Sequence, residues 1–127
     1  MQNILVKVWI MPHVFLNGGV NIEEIFNKFN GVLIRKEQGI LKTDNIYLNR
    51  DKTSMLIESL AIEKGIKNSF LAMVSRRDDG VVIRIYPGSE VEKTSGVKKI
   101  LSKIAKQVLT DFPKLKIGET NLLQYLK

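Results

Sequence analysis

Apolar positions along this chain repeat with two periods, and each period predicts a different kind of element. Asn3 to Met11 is β-branched and apolar and reads as a strand, with Ile4, Val6, Val8 and Ile10 on one face and Leu5, Lys7, Trp9 and Met11 on the other. Pro12 ends it, and Asn17-Gly18-Gly19 reads as a loop. Ile22, Ile25, Phe26 and Phe29 then fall on one helical stripe, behind a capping Asn21 and the acidic pair Glu23 and Glu24. This predicts a short helix over 21–29, stopped by Asn30-Gly31. A hairpin follows, with arms Val32–Lys36 and Ile40–Leu48, a turn at Gln38-Gly39, and a second turn near Asp44-Asn45 that would split the longer arm.

Residues 51–66 satisfy both periods. Leu56, Ile57, Leu60 and Ala61 share a helical stripe, with Asp51 as a cap and Gly65 at the C-terminal end. The same stretch also alternates, with Leu56, Leu60 and Ile62 against Ile57 and Ala61. We read it as a helix, with a strand as the alternative. Phe70–Ser75 and Val81–Tyr86 are strands joined by Arg76-Arg77-Asp78-Asp79-Gly80, whose Asp-Gly step signals a hairpin. Val97, Ile100, Leu101, Ile104, Ala105, Val108, Leu109 and Phe112 then recur at helical spacing. That helix starts at Thr94 or Ser95, or earlier through a Ser89/Glu92 capping box, and Pro113 ends it near Asp111 or Phe112. Ile117 to Lys127 is a tail with Leu122, Leu123, Tyr125 and Leu126 available for docking.

With 51–65 helical, the expected fold is α+β. An antiparallel sheet in ferredoxin-like βαββαβ order carries an appended strand and a long C-terminal helix. With 51–65 as a strand, the order becomes β-α, an antiparallel meander and a C-terminal helix. That element order resembles helix-grip or TBP-like sheets, and its ending resembles profilin- and longin-type domains. The chain is read as one domain over 1–127. Its 127 residues and 44% apolar content are enough to bury a core without disulfides, which the absence of cysteine rules out.

Charge adds a direction. The net charge is +7, and residues 91–127 carry eight lysines against three acids. Basic character concentrated in one region marks surfaces for nucleic acid, anionic lipid or acidic protein. No window approaches the ~18 apolar residues of a membrane span, and the apolar start lacks a cleavage pattern, so the expected setting is cytoplasmic, without membrane partners.

The residues that would form a catalytic site are sparse. His13 is the single histidine, no phosphate-binding glycine motif or nucleophile elbow occurs, and the usual zinc ligand sets are missing. The acidic pairs Glu23–Glu24 and Asp78–Asp79 suit a helix start and a hairpin tip. Neither a catalytic residue nor a metal or cofactor site is expected.

A binding surface is better represented. In the ferredoxin-like arrangement, the sheet face away from the interstrand helices would gather Lys7, Trp9, Arg35 and Tyr47, extended by Arg84 and Tyr86. Aromatic rings there would stack on bases while cations neutralise phosphates. No RNP1 pattern is present, and Leu5, Met11, Leu33 and Leu41 fall on the same face, which favours its burial beneath the last helix. In that case Lys98, Lys99, Lys103 and Lys106, with Lys114 and Lys116 beyond, form the basic surface. The working expectation is a non-enzymatic accessory protein that binds nucleic acid. The alternatives are a dimeric protein–protein adaptor, paired through the C-terminal helix or tail, and a helix-grip protein with a small-ligand cavity.

Overall fold

The computed structural model describes residues 11–127. The elements run β1 (His13–Asn17), α1 (Ile22–Lys28), β2 (Leu33–Lys36), β3 (Gly39–Leu48), β4 (Ser54–Glu63), β5 (Ile66–Arg77), β6 (Gly80–Ile85), α2 (Ser95–Asp111), β7 (Lys116–Thr120) and α3 (Leu123–Leu126). The class is α+β, but the order is not ferredoxin-like. The strands form a seven-stranded sheet in the order β2-β3-β4-β5-β6-β1-β7, with every neighbouring pair antiparallel.

The decisive segment is 51–65, in which Ser54–Glu63 form strand β4 and not a helix. Met55, Ile57, Ser59 and Ala61 are buried at period two and face the helices. Leu56, Leu60 and Ile62 occupy the opposite face. Apolar residues on both faces of a central strand leave the same i, i+4 coincidences that a helical stripe would. Gly65 is therefore not a helix cap: Lys64 (φ 51°) and Gly65 (φ 80°) make the two-residue β4–β5 turn, whose positive φ values suit the twist of a hairpin.

His13–Asn17, read from the sequence as the end of a strand and a loop, is itself a strand. Val14 and Leu16 alternate into the core between β6 and β7. The expected strand over 3–11 lies almost wholly outside the described residues. The β2–β3 turn is Glu37-Gln38, one residue earlier than expected, since Lys36 pairs with Gly39. The break expected near Asp44-Asn45 is a β-bulge inside one continuous strand, not a turn.

The two main helices form as expected. The Asn21 side chain accepts the Glu24 N–H at 2.8 Å and caps α1. Thr94 caps α2, accepting the Val97 N–H at 3.2 Å. Both helices lie on one face of the sheet. Ile100, Leu101, Ile104, Ala105 and Val108 pack there in one core with Val14, Leu16, Ile57, Ala72, Val74 and Ile83. Each fully buried aliphatic side chain contributes about 1.5–3 kcal/mol relative to exposure. This face therefore holds most of the stabilising burial, and the space beneath the middle of α2 is filled by side chains. The tail becomes a strand and then a short helix: β7 closes one sheet edge, and Leu122, Tyr125 and Leu126 pack on the same core. Among the described residues, no helix is long and apolar enough to cross a membrane.

Candidate nucleic-acid interface

Two surfaces carry the cationic and aromatic side chains singled out from the sequence. Arg35, Tyr47 and Arg84 lie on the sheet face away from the helices. Lys98, Lys99, Lys103 and Lys106 lie on α2, across the core. Lys7 and Trp9 lie outside the described residues.

The outer sheet face does not gather its candidates. Arg35 is on edge strand β2, Tyr47 on β3 and Arg84 on β6, so β4 and β5 separate Tyr47 from Arg84. Tyr47 is engaged within the sheet. Its hydroxyl donates to Glu58 Oε2 at 2.8 Å, while the Asn45 amide donates to Glu58 Oε1 at 3.1 Å. The carboxylate that accepts this hydrogen bond favours the neutral phenol and raises the Tyr47 pKa. Arg84 pairs across strands with His13, and its Nε is buried with no acceptor among the described residues. Tyr86 follows β6 and is exposed.

Leu41 does not share the Tyr47 face. The bulge between Thr43 and Ile46 inserts one extra residue, so Leu41 and Thr43 point to the helices, as do Ile46 and Leu48, while Tyr47 points away. Leu33 stays on the outer face and is exposed.

Three lysines of α2 divide between two neighbourhoods. The Lys106 ammonium donates to the backbone oxygen of Lys127 at 3.0 Å and so fastens the tail. Lys99 and Lys103, one turn apart, instead meet Lys36 of β2. Lys36 alternates with Arg35 and so points to the helix side of the sheet. The Lys99 ammonium beside it holds the Lys36 pKa below the ordinary lysine value, with smaller contributions from burial and from Lys103. Other lysines are compensated, Lys42 by Asp44 at 3.3 Å and Lys52 by Glu23 at 3.0 Å. Among the described residues, no acid forms an ion pair with Lys36, Lys99 or Lys103.

A cleft of about 300 Å³ opens beside this cluster, between the β2–β3 hairpin, the end of β4 and the first turn of α2. Its walls include Ile34, Leu41, Gln38, Lys36 and Lys99, together with Lys64 of the β4–β5 turn. Glu63 also lines it. Its carboxylate accepts the Gly96 N–H at 2.9 Å and the hydroxyls of Thr94 and Ser95. The helix N-terminus is thus already occupied by a carboxylate of the chain itself.

Lys36, Gln38, Glu63 and Lys64 were not singled out from the sequence. The alternation of the β2 arm places Lys36 opposite Arg35, but nothing in the sequence pairs that arm with the start of α2. The acidic pairs sit apart: Glu23 bonds Lys52, and Asp78-Asp79 forms an exposed hairpin tip.

Comparison with known proteins gives one partial similarity. Over 69 residues the chain is 35% identical to a tRNA (guanine-N(7)-)-methyltransferase of Aquifex aeolicus, a stretch covering 54% of this chain and 23% of that protein. The chain therefore matches less than a quarter of that relative's length. No family model matches the chain. No solved structure matches it.

Proposed function

We propose that this protein binds nucleic acid, with RNA as the favoured class, by holding backbone phosphates on the lysines of β2 and α2. One observation carries the reading: Lys36 and Lys99 line one cleft from two elements, Lys103 lies one turn further along α2, and no acid among the described residues forms an ion pair with any of the three. Holding like charges together is unfavourable, and an anion between them relieves the repulsion. Phosphate contacts of this kind position a nucleic acid without reading its sequence. The partial similarity to an enzyme named for acting on tRNA favours RNA over DNA.

The element order also supports a helix-grip type of architecture, a strand and helix followed by a meander that grips one long helix. In such a frame the open volume lies at the first turn of α2, since the centre of the helix rests on filled core.

The test is titration of labelled tRNA with the intact protein across a salt series. Affinity is expected to fall steeply with salt, and the slope to shrink by about one for each lysine contact removed. Lys36→Glu and Lys99→Glu should weaken binding strongly, and Arg35→Glu on the outer face only slightly. Absence of binding at low salt, or equal effects of all three reversals, rejects the reading.

A further inference from the structure

The cleft beside the lysines combines three chemistries that a bare anion site does not need. Ile34 and Leu41 give it an apolar wall. Lys36, Lys64 and Lys99 place positive charge in its lining. Glu63 adds a carboxylate to the lining, and with three donors already on it, it keeps acceptor capacity for one more hydrogen bond. A fatty acid or other purely anionic amphiphile would match the wall and the lysines but meet repulsion at Glu63. A nucleotide matches all three: a phosphate, a flat and largely apolar base, and hydroxyl or amino donors on the ribose and base. Gln38, in the β2–β3 turn, adds an amide able to donate and accept at a base edge.

We propose that this cleft holds one unpaired nucleotide of a bound RNA strand, with its phosphate on Lys36 and Lys99 and its base against Ile34 and Leu41. The inference rests on the nucleic-acid reading above and deepens it, because it selects single-stranded RNA over duplex. A base inside a helix is stacked and paired and offers the cleft nothing, whereas a splayed base can enter. At about 300 Å³ the cleft is at the small end of ligand pockets, suited to one nucleotide and not to a folded ligand. The position of the phosphate also follows. Glu63 occupies the α2 N-terminus, so the anion is left to the lysines.

The test compares single-stranded oligoadenylate with an RNA duplex of equal length at low salt, using the full chain. Single strand is expected to bind on the order of tenfold more tightly, the scale of one buried base. Ile34→Trp, which fills the cleft, should bring single-strand affinity down to that of the duplex. A second measurement needs no variant: 5′-AMP should shift the backbone amide resonances of Gly39 and Gly96. Equal binding of both RNAs, with no AMP shifts at those glycines, overturns the nucleotide cleft and leaves the basic-surface reading standing. Failure of both RNAs to bind overturns the two together.

Discussion

Glu63, the last residue of β4, accepts the backbone N–H of Gly96 in the first turn of α2 at 2.9 Å. The same carboxylate takes the hydroxyls of Thr94 and Ser95, so one side chain ties the start of the long helix to the end of a strand. A Cβ on Gly96 would lie 2.5 Å from the Glu63 carboxyl carbon. The absence of a side chain at Gly96 is therefore what admits the carboxylate to the helix end. Thr94 acts twice, donating to Glu63 while accepting from Val97.

Glu63→Ala removes the acceptor for three donors. Stability should drop by about 1–3 kcal/mol, read as a lower urea midpoint at unchanged slope. Glu63→Gln should recover part of the loss, because an amide oxygen still accepts but without charge assistance. An unchanged midpoint for Glu63→Ala would show that the link does not stabilise the fold.

Lys36 gives the binding reaction a pH signature. Its pKa is held below the ordinary lysine value, chiefly by Lys99. A bound phosphate counters that repulsion and raises the pKa again, so the complex holds more protons than the free protein between the two values. Affinity for tRNA should therefore fall as pH rises through the lowered Lys36 pKa, before ordinary lysines deprotonate. Calorimetry in buffers of different ionisation enthalpy should detect proton uptake on binding there, and Lys36→Arg should abolish it, since arginine stays charged.

Tyr47 gives a separate signature in the folded protein alone. Its hydrogen bond to Glu58 raises the phenol pKa in the folded state. That contribution to stability is fully present below the unfolded tyrosine pKa and is lost as pH rises through the raised folded value. Spectroscopic titration of the three tyrosines should show one ionising late. Tyr47→Phe should delete that step, and Glu58→Gln should return it toward the ordinary range.

Gly80 is a packing prediction. It opens β6 opposite Asn17 of β1, and a Cβ there would lie 2.1 Å from the Leu16 carbonyl oxygen. Backbone cannot yield as a flexible side chain does, so Gly80→Ala must displace β1. A loss of about 1–3 kcal/mol is expected in thermal or urea unfolding. Gly65→Ala, with open space around its Cβ but φ at 80°, isolates the cost of backbone strain without a clash.

Much of this fold is legible from the chain because the relevant physics is local. The Asn21 and Thr94 caps, the stripe of α2, its end before Pro113 and the β5–β6 hairpin all depend on residues within a few positions of one another. The sequence alone also determines that positive charge is concentrated after residue 90 and that α2 buries one side while presenting lysines on the other. Tertiary structure decided the rest. Residues 54–63 carry apolar side chains at positions that fit either period, and only pairing with β3 on one side and β5 on the other makes them a strand. A single extra residue in β3 turns Tyr47 away from the face of Leu41, because side-chain direction in a strand alternates strictly and a bulge resets the count. Lys36 and Lys99 are 63 positions apart, and no local pattern relates them. They meet because the sheet places β2 beside the first turns of α2, and a charge cluster is a property of distance in space and not along the chain.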